Sequence, residues 1–196
     1  WMLMRTLRHT VFFHVYPLGM WCWYAYYVSM ILIPQLCLFA TKYIGKPEDS
    51  VAWNTMYLNI LIGITQNTIP NGWIPEYTMQ YIRLSAAYFG LGDKENGYSY
   101  LEKALELCKR WQEFPDSALL DLGNPLFFGE TKLIKNDWHI QLPNGEKLPL
   151  LQGFKNGIAN LAIIMEAEKG WEWFNSVRNE EQWFTILSDA KSLTIM

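Results

Sequence analysis

The chain has 196 residues, 51% hydrophobic and 16% aromatic, and ten of the aromatics are Trp. That length suits one domain with a substantial core. Sixteen Lys and Arg against 19 Asp and Glu give a formal net charge of −3 with no basic stripe, which argues against direct nucleic-acid contact by this segment.

The chain begins at Trp1, which reads as a segment of something longer. Its first apolar stretch lacks the small-residue cleavage site of a signal peptide. Residues 9–41 contain no Asp, Glu, Lys or Arg. Within them, residues 20–40 are long enough to cross a bilayer. Arg5 and Arg8 on one side and Lys42 and Lys46 on the other give no clear orientation. Tyr24, Tyr26, Tyr27, Pro34 and Gln35 dilute the stretch as a lipid-facing helix. The favoured reading is a buried helical pair separated around Pro17 and Gly19, with Pro34 kinking or ending the second helix. A membrane anchor through residues 20–40 is the alternative.

Lys46-Pro47-Glu48-Asp49-Ser50 is a helix start, with Asp49 or Ser50 as cap and acidic groups near the positive end of the helix dipole. The predicted helix runs to about residue 66, with Val51, Tyr57, Leu58, Leu61 and Ile62 on its buried face. Pro70-Asn71-Gly72 is a turn. Two further helices, from about 75 to 90 and from 93 to 111, are joined so tightly through Gly92-Asp93 that they must lie antiparallel. Helical periodicity stops over residues 114–155. Residues 131–135, 138–142 and 147–151, with turns at Asn136-Asp137 and Pro143-Asn144-Gly145, predict a two- or three-stranded meander. Helix returns over 156–168, and a last helix starts near Asn179, with Gln182 three residues on. The expected organisation is a helical array over 1–113, a loop and β insertion over 114–155, and capping helices over 156–196.

Residues 81–107, YIRLSAAYFGLGDKENGYSYLEKALEL, carry Tyr81, Leu84, Ser85, Tyr88, Gly92, Gly97, Leu101 and Ala104 in an order that resembles one tetratricopeptide repeat. In such a hairpin the small side chains admit close helix contact and the large ones fill the space between. The match departs from the family at Lys109, where a proline is common, and at Gly97, where alanine is usual and helix propensity is about 1 kcal/mol better. No equally good copy lies upstream. A single repeat cannot bury its own face, so the resemblance implies a mostly α fold. Its antiparallel hairpins, including one over 75–111, would stack as a short tetratricopeptide-like α-solenoid with the β-meander inserted near 131–151. Residues 173–184, WFNSVRNEEQWF, are similar to the closing segment of many repeat arrays. The whole also resembles the C-terminal sensor or dimerisation part of Firmicute-type helix-turn-helix transcriptional regulators, although no helix-turn-helix is visible.

Catalytic and cofactor signals are absent from the sequence. His9 and His14 are five apart rather than four, His139 falls in a predicted strand, and no HExxH or paired cysteines accompany them. Cys22, Cys37 and Cys108 are too few and too scattered for a disulfide framework, and read as buried thiols in a reducing, cytoplasmic setting. No nucleophile elbow, phosphate loop or dinucleotide fingerprint occurs. Glu166, Glu168 and Glu172 could serve an aromatic sugar cleft as acid and base, but a solvated helix end explains them as well. No enzyme, metal or cofactor is therefore expected.

Binding of a peptide or protein, or of a second copy, is what remains. The repeat resemblance implies that Ile82, Ala86 and Phe89 face a groove, whose apolar character suits an apolar peptide or a helix. Asn54, Asn59 and Gln66 on the preceding helix could grip an extended backbone, or simply face solvent. Trp21, Trp23, Tyr24, Tyr26 and Tyr27 form an aromatic group that would line a pocket, a core or a dimer interface.

Overall fold

A computed structural model describes residues 45–124, 128–135, 139–149 and 161–193. The expected helical pair of residues 9–41, with Trp21, Trp23, Tyr24, Tyr26 and Tyr27, lies outside them. The described part is mostly helical, with a small antiparallel sheet.

Helix α1 spans Pro47–Ile64. Lys46 holds the cap position, so Asp49 and Ser50 lie inside the first turn instead of capping it. Proline fixes φ near the helical value and needs no N–H partner there, which sets the start one turn earlier than a polar cap would. The other end closes through two consecutive left-handed residues, Gln66 (φ 56°) and Asn67 (φ 60°). The Asn67 amide donates to the Ile62 carbonyl at 2.9 Å, a Schellman-type closure usually given to glycine.

A 3-10 turn, Asn71–Trp73, leads into α2, Ile74–Gly90. Pro75 sits in its first turn, as its missing N–H allows. α1 and α2 run antiparallel. At one end a methyl on Gly90 would lie 3.0 Å from Pro47, and at the other the Thr65 and Tyr77 hydroxyls are 2.7 Å apart. Gly92 (φ 79°) reverses the chain, and Asp93 accepts from the Asn96 amide to cap α3, Lys94–Gln112. α2 and α3 adjoin along their length. Tyr88 stacks on Tyr100, and Leu101, Ala104, Leu105 and Cys108 are buried.

Four short strands follow: β1 (Leu119–Asp121), β2 (Lys132–Ile134), β3 (His139–Gln141) and β4 (Lys147–Pro149). They pair antiparallel in chain order, with Leu120 opposite Leu133 and Leu133 opposite Ile140. These three side chains are buried and share one core with the helices. The last three strands match the predicted segments, and β1 is an addition. Its three residues are too short to show a period, and their pairing is set by β2. The sheet is fastened at its root. Trp73 donates Nε1–H to the Leu122 carbonyl at 2.9 Å, and a methyl on Gly72 would meet Leu122 at 2.7 Å.

The C-terminal part holds α4 (Leu161–Glu166), a 3-10 segment (Glu172–Ser176) and α5 (Glu181–Ser192). Glu180, not Asn179, occupies the cap position of α5. Its carboxylate is turned aside to accept from Lys94 and Tyr98 at 2.6 and 2.9 Å. Arg178 closes the end of α4 by donating to the Glu166 and Ala167 carbonyls. Among the described residues no helix is long and apolar enough to cross a membrane.

Candidate functional site

The expected groove is filled by the chain's own side chains. Ile82, Ala86 and Phe89 are all buried in the core. α2 lies between α1 and α3, and the 3-10 segment Glu172–Ser176 folds back over it. Phe89 meets Tyr98 and Phe174 edge-on, with ring centres 5.0 and 6.0 Å away. α2 buries 12 of its 17 residues, polar ones included, as a central helix does. The three polar candidates on and just after α1 do not converge either. Asn59 and Gln66 are exposed, whereas Asn54 is buried and donates Nδ2–H to the Ser50 carbonyl at 2.7 Å.

Turning Asn54 inward creates a polar seam between α1 and α2. Ser50, Asn54 and Tyr57 share the inner face of α1, and Glu76, Gln80 and Arg83 repeat the same four-then-three spacing on α2. Gln80 donates Nε2–H to Glu76 Oε1 at 3.0 Å, and the Tyr57 hydroxyl also bonds to the Glu76 carboxyl. Glu76 is only 4% exposed. Burial pushes its carboxyl above the usual range, while Arg83, Tyr57 and Gln80 pull it down by less. Asn54 Oδ1, Gln80 Oε1, and Nε and Nη1 of Arg83 are buried without a hydrogen-bond partner. Such atoms are costly in a dry interior.

This seam makes stability depend on pH in an uncommon direction. The folded state holds the Glu76 proton more tightly than the unfolded chain, whose carboxyl ionises near 4.5. Its contribution is therefore full below that pH and declines as pH rises through the raised folded value. Glu76→Gln removes the titrating group. Urea midpoints of the variant and the parent should converge below pH 4.5 and separate above it, with the variant more stable at pH 7. Parallel profiles would show that Glu76 ionises at the same pH in the folded and unfolded chains.

Lys135 is a second buried ionisable group. Its ammonium donates to the Phe114 carbonyl and lies 5.5 Å from the Trp111 ring centre. Burial lowers its pKa, and Asp116 opposes that shift. Arg110 likewise donates to the Ile69 carbonyl and to Asn71. Both cations fasten α3 to its neighbours. Among the described residues no group of three or more His, Cys, Asp and Glu is placed to hold a metal ion.

The open feature lies on the outer side of α5. There Asn179, Glu181, Phe184, Thr185, Ser188 and Asp189 line a shallow depression that is wide open to solvent. Trp183, Ile186 and Ala190 take the inner face, so Phe184 points outward and is 55% exposed. Asp189 is paired with Lys109 at 2.7 Å. The sequence does hold the signal for this site. Once Trp183 and Ile186 are placed inside, the next aromatic must face out. No family model matches the chain, and no curated protein and no solved structure is detectably similar to it.

Proposed function

We propose that the chain is a non-catalytic helical module that binds a peptide or protein segment on the outer face of α5. The exposed Phe184 in its depression is the observation that carries this reading. Single exposed apolar residues are ordinary on protein surfaces. An exposed aromatic with polar groups around it on a shallow surface is the kind of residue that anchors an interface. Glu181 is exposed on the rim, so the favoured partner places an apolar side chain beside a Lys or Arg.

The succession α1, α2, α3 and α5 supports the tetratricopeptide-like α-solenoid reading, with α5 as the closing helix. Gly92 and Gly97 serve the reversal and the close approach that the repeat asks of them. A place as the sensor part of a larger regulator follows from the same resemblance.

The test uses an array of short peptides that join an apolar residue to neighbouring Lys or Arg. The full chain should select a subset, and Phe184→Ala should weaken binding to it at least tenfold. Helicity and melting temperature should be unchanged. Equal binding by the variant would remove the site.

A further inference from the structure

The outer face of α5 is complementary to itself. Glu181, Phe184, Ser188 and Lys191 form one exposed stripe, opposite the buried Trp183, Ile186 and Ala190. Their spacings of three, four and three residues read the same in either direction. On reversal the residue types exchange, acid for base and large ring for small hydroxyl. A second α5 laid antiparallel therefore sets each Glu181 against a Lys191 and each Phe184 over a Ser188. Contacts that repeat in this reciprocal way define a two-fold interface, which closes at two copies.

The charges around the stripe leave the right groups available. Glu180 is held by Lys94 and Asp189 by Lys109, whereas Glu181 has no ion-pair partner among the described residues. Lys191 meets Glu166 at 2.6 Å with its side chain 52% exposed. An ammonium carries three donors, so it can take a second carboxylate. Thr185, beside Phe184, bonds its hydroxyl to the Glu181 carbonyl at 3.1 Å and keeps it within its own helix. We infer that two copies of this chain associate through an antiparallel pair of α5 helices, with Phe184 over Ser188 and Glu181 against Lys191 on both sides of the two-fold axis. The inference rests on the reading of this face as a binding surface and adds its regulation. The pair covers the same Phe184 that a peptide needs, so self-association closes the peptide site. The 12-residue α5 gives a small contact beside a standard interface of about 1,600 Å², so the pair is weak and reversible.

Charge exchange provides the test. Sedimentation of the full chain over a concentration series should show the mass rising from one copy towards two. Glu181→Lys and Lys191→Glu should each stay monomeric, because each sets like charges against one another at both ends of the pair. Mixing the two single variants should restore a dimer made of one copy of each, and the double variant should dimerise with itself. A merely unstable variant would not regain association on mixing. Peptide binding, measured at a concentration where the parent is monomeric, should fall as the chain concentration rises through the dimerisation range. A parent that stays monomeric throughout would overturn the inference, and Phe184-dependent peptide binding in that monomer would leave the binding site itself standing. Dimerisation that both single variants retain would also overturn it, by placing the contact elsewhere.

Discussion

Trp73→Ala should cost about 3–5 kcal/mol of folding free energy. The indole is fully buried between the helices and the sheet, with the Phe128 ring edge-on at 5.4 Å. Truncation removes that packing and strands the Leu122 carbonyl, which accepts from Nε1. Trp73→Phe separates the two effects. It keeps most of the apolar volume and loses the hydrogen bond, for an expected cost of about 1–3 kcal/mol. Urea midpoints with matched slopes give both values. A loss below about 1 kcal/mol for Trp73→Ala would mean that the sheet contributes little to the core.

Gly97→Ala should destabilise the protein although alanine is the better helix former. Propensity alone predicts a gain of about 1 kcal/mol. The structure opposes it, because a methyl on Gly97 would sit 2.5 Å from Phe89 Cε1. Tyr98 and Phe174 bound the Phe89 ring on two sides, which restricts how far it can yield. Overpacking of this kind costs about 1–3 kcal/mol, enough to reverse the sign. Gly97→Val should be worse than Gly97→Ala. Shortening the opposing ring with Phe89→Leu should make Gly97→Ala less harmful than it is alone, a coupling that a double-mutant cycle reads directly. A stabilised Gly97→Ala would show that the two helices are further apart than described.

The three long helices and their order follow from local signals. Period 3.6 marks them, Pro47 and Pro75 open two of them, and Gly92 with Asp93 sets the reversal. The meander was legible in its last three strands because Pro143-Asn144-Gly145 marks a turn, and Gly145 does adopt a positive φ of 83°. β1 had no such marker. The groove departs from expectation for a different reason. Placing Ile82, Ala86 and Phe89 on an open face follows the repeat pattern, but Phe89 meets Phe174, far along the chain, and no period reports that return. Asn54 differs from expectation because a lone amide on an apolar helix suggests solvent, whereas its side chain is buried. The useful clue was the matched spacing of Ser50-Asn54-Tyr57 and Glu76-Gln80-Arg83, which aligns two polar stripes across one interface. Phe184 follows from the helical phase of Trp183 and Ile186 and not from the repeat pattern.

The way α5 is attached has a consequence of its own. Lys94 to Glu180, Lys109 to Asp189 and Gln182 to Glu102 tie it to α3 on the solvent side, and the first two are ion pairs. Mobile ions screen charges that stand in water and hardly reach those held in a dry interior. Added salt therefore loosens the last helix while leaving the buried Glu76 carboxyl almost untouched. The molecule has a grip that ionic strength adjusts at one end and a joint that only protons adjust at the other.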